Sequence, residues 1–187
     1  ESNLSTYVTD RRVFEYWAEG DWISANYLMG RLRADYPEEV CRHGHPGPCQ
    51  ADHIGPISLG FTHRPRFQLL CKTCNSAKNN RMSLLDVKTL IMDETRGEVV
   101  ISWHSRYLWD ACKRLVNNEE NALRLSKLLR DNRHALMHAL KIIADHKNFT
   151  FLTTLLDLNY ADYTVKLKGL EIRDHLTHYS ALERLPR

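Results

Sequence analysis

The sequence predicts an α+β protein, predominantly helical, in which a small ββα finger lies between N- and C-terminal helical segments. Three observations predict it. Gly44, Gly47, Gly55, Gly60, Pro46, Pro48, Pro56 and Pro65 crowd into residues 41–82, the texture of a turn-rich module. Four cysteines, Cys41, Cys49, Cys71 and Cys74, share that window. On either side, apolar residues recur at helical spacing. The expected division is therefore a helical segment 1–40, a module 41–82 and a helical region 83–187.

Composition sets the outer bounds. The chain has 187 residues, 43 % of them hydrophobic and 26 % charged, enough for a folded core and against wholesale disorder. With 26 Lys+Arg against 23 Asp+Glu the formal net charge is only +3, which does not by itself announce a nucleic-acid partner. Mean hydropathy is −0.47, and no run approaches the roughly 20 apolar residues that span a bilayer, so no membrane partner is expected. Residues 1–10 lack a basic stretch followed by an apolar one, so no secretory signal is expected. Clustered cysteines suit a reducing compartment and metal before disulfide, and the expected location is cytoplasmic. A start on Glu1 suits processing or a piece cut from a longer chain.

In the first segment, Phe14, Tyr16, Trp17, Trp22 and Tyr27 anchor a helical pattern. Ser24 is the expected N-cap for residues 25–34, and Pro37 ends the pattern. After the module, Ser83 is expected to cap a helix reaching Glu94, with Gly97 as its stop. A β-like stretch at 99–102 precedes an expected helix at 105–116. A longer helix follows, striped by Leu125, Leu129, Leu136, Leu140 and Ile143, a face that suits a core or a homodimer seam better than a cofactor. Residues 149–158 are a further helix candidate, and the tail beyond Gly169 is ambiguous.

Chemistry concentrates in the module. Cys71-Lys72-Thr73-Cys74 is a C-x2-C pair, a spacing that lets two thiolates grip one tetrahedral ion from a tight turn. Cys41 and Cys49 supply a second pair, and the four together make a structural Zn²⁺ site. His43 or His45 replacing one thiolate is the minority alternative. Asp52-His53 sets a carboxylate beside an imidazole, and in a strand the two point to opposite faces. Phe67-Gln68-Leu69-Leu70 reads as a second strand leading into the C-x2-C turn, with a helix expected from Asn75.

Charge is distributed to match. Between His53 and Leu85 there is no acid, yet Arg64, Arg66, Lys72, Lys78 and Arg81 are all basic. A field of one sign suits a polyanion such as a nucleic-acid backbone. His134 and His138, at i and i+4, lack a third ligand nearby and are expected to be solvated or packed. Cys112 is expected to be a small buried apolar residue.

The run from Cys41 to Arg81, with its order C…C-x2-D-H-I-x-P…Q-x-L-C-x2-C-N-x2-K-x2-R, resembles HNH endonucleases of the ββα-metal superfamily. With zinc cysteines on both sides of the Asp52–Asn75 interval, it is most similar to HNH-type (type II) restriction endonucleases. The resemblance implies that Asp52 and Asn75 hold a catalytic Mg²⁺ (or Mn²⁺), with Asn79 as a candidate third ligand or phosphate contact. It implies His53 as general base, with DNA, expected double-stranded, as substrate. Arg64, Arg66, Lys72, Lys78 and Arg81 are then candidate phosphate contacts. One position departs from the family pattern: Arg66 stands where the middle Asn is expected. Either a backbone carbonyl orients His53 in its place, or Arg66 has become a phosphate contact. The competing functions are a non-catalytic zinc knuckle that docks DNA or protein, and a purely helical interaction protein.

Overall fold

The computed structural model describes residues 20–35, 41–151 and 163–186. It comprises two compact units whose segments alternate along the chain: Gly20–Ile54, His63–Asn79 and Ala161–Arg187 form one, and Glu1–Glu19, Gly55–Thr62 and Asn80–Tyr160 the other.

The first unit is built on a sheet. Strands β1 (Cys49–His53) and β2 (Phe67–Cys71) pair antiparallel, with Cys49 opposite Cys71 and His53 opposite Phe67. Helix α1 (Trp22–Asp35) and helix α2 (Lys72–Lys78) belong to the same unit. Period-two alternation explains the packing. Phe67 and Leu69 of β2, with Ala51 and Cys49 of β1, form one cluster with Ala25, Leu28 and Leu32 of α1. These α1 positions are separated by three and four residues, one face of a helix. Intervening residues, Gln50 and Asp52, take the other face of β1. All five residues of β2 are buried, as a strand covered on both faces requires.

Helix α1 begins three residues earlier than expected, at Trp22. The Asp21 carboxylate accepts from the Ser24 backbone N–H at 3.0 Å and from its hydroxyl at 2.6 Å, so Asp21 takes the capping role. Helix α2 begins at Lys72, not Asn75, because Cys71 has the extended backbone of a cap (φ −64°, ψ 162°). Cys74 thus lies on the first turn.

The expected helical region 83–187 needs correction at its end, since residues 163–186 form strands. β3 (Tyr163–Lys168) pairs with a strand at Ala181–Pro186, here β6, while β4 (Glu171–Arg173) and β5 (Leu176–His178) make a hairpin. β5 joins β2, giving the order β1-β2-β5-β4. The Thr177 hydroxyl accepts from Phe67 N–H at 2.9 Å, and Leu69 N–H donates to His175 O at 3.0 Å. The alternation Thr164-Val165-Lys166-Leu167-Lys168 is the strand signal in this tail.

The second unit is helical where it is described. Ser83 caps α3 (Leu84–Thr95) in a reciprocal box with Asp86, as expected of that Ser and that spacing. Helices α4 (Trp103–Cys112) and α5 (Glu119–Asp145) follow. Its core gathers Leu59, Phe61, Met82, Leu90, Ile101, Trp109 and Leu129. The Phe61 and Trp109 rings meet edge-on at 5.2 Å. Leu125, Leu129 and Leu140 of the expected stripe are buried, while Leu136 and Ile143 are half-buried. His134 and His138 are exposed on α5, and Cys112 is half-buried. The helix expected at 149–158 lies outside the described residues beyond 151. Among the described residues, no helix is long and apolar enough to cross a membrane.

Candidate functional site

Two chemistries occupy opposite ends of the β1–β2 ladder. At the Cys49–Cys71 end, the ligand atoms of Cys41, His45, Cys71 and Cys74 all lie within 4.8 Å of one another. His45 Nδ1 is 3.0 Å from Cys74 Sγ. All five cysteines of the chain are unbridged thiols. Burial raises Cys41, yet bonds from the Cys71 and His43 backbone, and from the Cys74 and Cys71 thiols, hold it below its ordinary value. Cys74 is pushed up to about 12 by burial, then by Cys71 and Cys41. Adjacent thiols that cannot all ionise unaided form a donor set that a soft or borderline cation would satisfy. Of the four expected thiolates, three are in the cluster. Cys49 is not: its thiol donates to Gly47 O at 3.7 Å. His45 takes its place because the turn Arg42–Gly44 doubles the chain back, with Gly44 N–H donating to Cys41 O at 2.7 Å and Cys41 N–H to His45 O at 3.3 Å.

At the other end stand Asp52 and His53. Asp52, facing away from the α1 cluster, accepts at Oδ2 from Gln68 Nε2 at 2.8 Å, and Gln68 Oε1 accepts from Arg42 Nη1 at 2.5 Å. The same Oδ2 receives Lys78 Nζ at 2.5 Å. Lys78 also donates to His53 O at 2.5 Å and Ile54 O at 3.1 Å. One carboxylate oxygen and two carbonyl oxygens therefore converge on a single positive charge. The side chains of Lys78 and Asp52 are only 8 % and 13 % exposed. The ammonium stands where a small hard cation would find oxygen ligands, so the donor set fits such an ion.

Asn75, on the first turn and a half of α2, donates from Nδ2 to Gln50 Oε1 at 2.8 Å. Gln50 and Asp52 share a face of β1, so Asn75 and Lys78 both meet that face. Asn79 ends the helix at φ +48°, a sign of φ that Asn tolerates better than most residues. The expected phosphate contacts divide. Lys72 and Arg81 are exposed. Arg64 is buried, Arg66 donates to Thr177 O at 3.2 Å, and Lys78 is held by Asp52.

His53 points to the α1 side. Its ring meets the edge of Phe67 at 5.0 Å, and its Nε2 lies 2.7 Å from His63 Nδ1. His63 Nε2 is in turn 3.1 Å from Asn26 Oδ1. Sequence reasoning did not single out His63, Asn26, Gln50 or Gln68. The nine residues between His53 and His63 carry no periodic signal, and only the ladder partner of Asp52, Gln68, follows from register once the strands are aligned.

The whole chain, residues 1–187, matches the model of a family of type II restriction endonucleases. The chain belongs to that family, described as type II restriction endonuclease (RE_Alw26IDE). Membership makes it a nuclease enzyme with DNA as its substrate. Neither the curated proteins nor the solved structures compared with it give a match.

Proposed function

We propose that this restriction endonuclease cuts DNA by an HNH mechanism of the ββα-metal type, with one Mg²⁺ (or Mn²⁺) and with His53 as general base. The observation that carries this reading is the convergence of the Asp52 carboxylate and two adjacent carbonyls on one cationic position, held by Lys78. Further support comes from Asn75, brought by α2 to the face of β1 that bears Asp52. Asp52 and Asn75 would hold the ion, with Asn79 as third ligand. When bound, the ion supplies Lewis-acid charge to the scissile phosphate and the departing sugar oxygen.

His53 takes the proton of the attacking water. A neutral imidazole has one ring nitrogen without a hydrogen and can do so. As water oxygen bonds to phosphorus, the phosphorus–sugar oxygen bond breaks, leaving one phosphate and one hydroxyl end. Lys72 and Arg81, both exposed, suit phosphate contacts, which position the duplex without reading its sequence. Cys41, His45, Cys71 and Cys74 would hold a structural Zn²⁺ with no open position, a staple for β2 and α2.

Plasmid cleavage tests the reading. The chain should cut with Mg²⁺ or Mn²⁺ and stop with EDTA. His53→Ala should lower the cutting rate about 10²–10⁴-fold, the usual contribution of a positioned base, with DNA affinity kept. Equal loss of cutting and binding in that variant contradicts it.

A further inference from the structure

We infer that His63 and Asn26 position His53 by fixing which of its ring nitrogens carries the proton. This rests on the reading of His53 as the base. The chain of bonds has a direction. Asn26 Oδ1 is an acceptor only, so His63 Nε2, 3.1 Å away, must donate to it. His63 is 2 % exposed. Burial lowers its pKa to about 4, against the opposing pull of Asp21, so the ring is neutral at working pH. A neutral imidazole has one N–H. With that hydrogen on Nε2, His63 Nδ1 is a lone pair, and His53 Nε2, at 2.7 Å, must donate to it. A neutral His53 then carries its own lone pair on Nδ1, the atom left to accept a proton from water. Reversal of the bonds would place the hydrogen on that atom and remove the base.

The surroundings keep the relay in register. Gly20, at φ +133°, brings the chain so close to His63 that a Cβ there would sit 2.2 Å from His63 O. Phe67, fully buried, bounds the His53 ring on another side. Asn26 lies on α1 one turn beyond the Asp21 cap, so α1 and the segment leading into it supply both the backbone contact and the hydrogen-bond acceptor. This gives His53 an orienting partner in a chain whose middle family position is Arg66, and Arg66 is occupied with Thr177 O.

Two measurements on the full chain test the inference. Two-bond ¹⁵N–¹H correlation spectra, recorded without divalent ions, read the tautomer of each histidine directly. His53 should carry its proton on Nε2 in the native chain and lose that preference in His63→Leu. In His63→Asn, whose Oδ1 takes the position of the lost Nδ1, the preference should return. Asn26→Ala, at an exposed position that tolerates truncation, should shift His63 toward the Nδ1-protonated form and weaken the preference at His53. In single-turnover cleavage, His63→Leu should slow the step about 10–100-fold, the scale of losing an orienting partner, with DNA affinity unchanged. His63→Asn should regain most of that loss. A native His53 protonated on Nδ1, or a His63→Leu variant that keeps both tautomer and rate, overturns the inference. A chain whose His53 is protonated on Nε2 but which cuts no DNA with any divalent ion supports the relay and defeats the nuclease mechanism, so the two failures are distinct.

Discussion

At one end of the β1–β2 ladder Cys49 faces Cys71, and thiols and an imidazole gather with their ligand atoms within 4.8 Å. At the other end Asp52 and two carbonyl oxygens surround a lysine ammonium. The donors at the first end are soft and at the second hard, so the two ends select different cations by chemistry alone. Helix α2, only seven residues long, serves both: Cys74 reaches the sulfur end and Lys78 the oxygen end, while Asn75 bonds Gln50 on the face of β1 that also bears Asp52. The sulfur end has four protein donors, enough to complete a tetrahedral ion. The oxygen end has the charge of its carboxylate neutralised by the Lys78 ammonium. On the proposed mechanism, the contrast separates an ion that would hold the fold from one that would act on DNA.

The largest effect that can break this contrast is at the sulfur end. Cys71→Ser should release zinc and unfold the β1–β2–α2 arrangement, because a structural zinc contributes on the order of 10 kcal/mol of folding free energy in small metal-stapled folds. Thermal unfolding and bound-zinc analysis together read it. Next in size is Lys78→Met at the oxygen end. Removing the resident ammonium should tighten Mn²⁺ binding about fivefold, about 1 kcal/mol for a partly buried ion pair, measured by titration without DNA. Weaker Mn²⁺ binding would mean that Lys78 supports the cation site instead of standing in for its occupant. The smallest effect sharpens the ligand assignment. Cys49→Ser should keep one zinc per chain and cost only about 1 kcal/mol, as for one half-buried side chain at the edge of an apolar cluster. Loss of zinc in that variant would restore Cys49 to the ligand set in place of His45.

Much of this region was legible because its chemistry is local. C-x2-C fixes two donors within one turn, and Ser83 with Asp86 spells a capping box that the structure forms. Asp52-His53 at a strand end separates the two side chains by simple alternation. What could not be read depends on distance in sequence. His63 reaches His53 across a turn-rich loop, and Asn26 comes from a helix 27 residues before His53. In the sequence Cys49 is favoured over His45, since the thiol pairs are the stronger signal, although both residues follow Cys41 within one Gly/Pro-rich loop. The turn at Arg42–Gly44 favours His45. The tail was misjudged for a different reason: β3 alternates cleanly, but β4 and β5 are three residues each, too short for periodicity to register.

The most direct test of the central claim maps the catalytic cation on the chain itself. With Fe²⁺ in place of Mg²⁺, ascorbate and peroxide generate radicals that cut the backbone beside the bound ion. Cuts are expected near residues 52–54 and 75–79, abolished by Asp52→Ala while the zinc content is unchanged. Cuts confined to other segments, or the same cuts surviving Asp52→Ala, would contradict the claim.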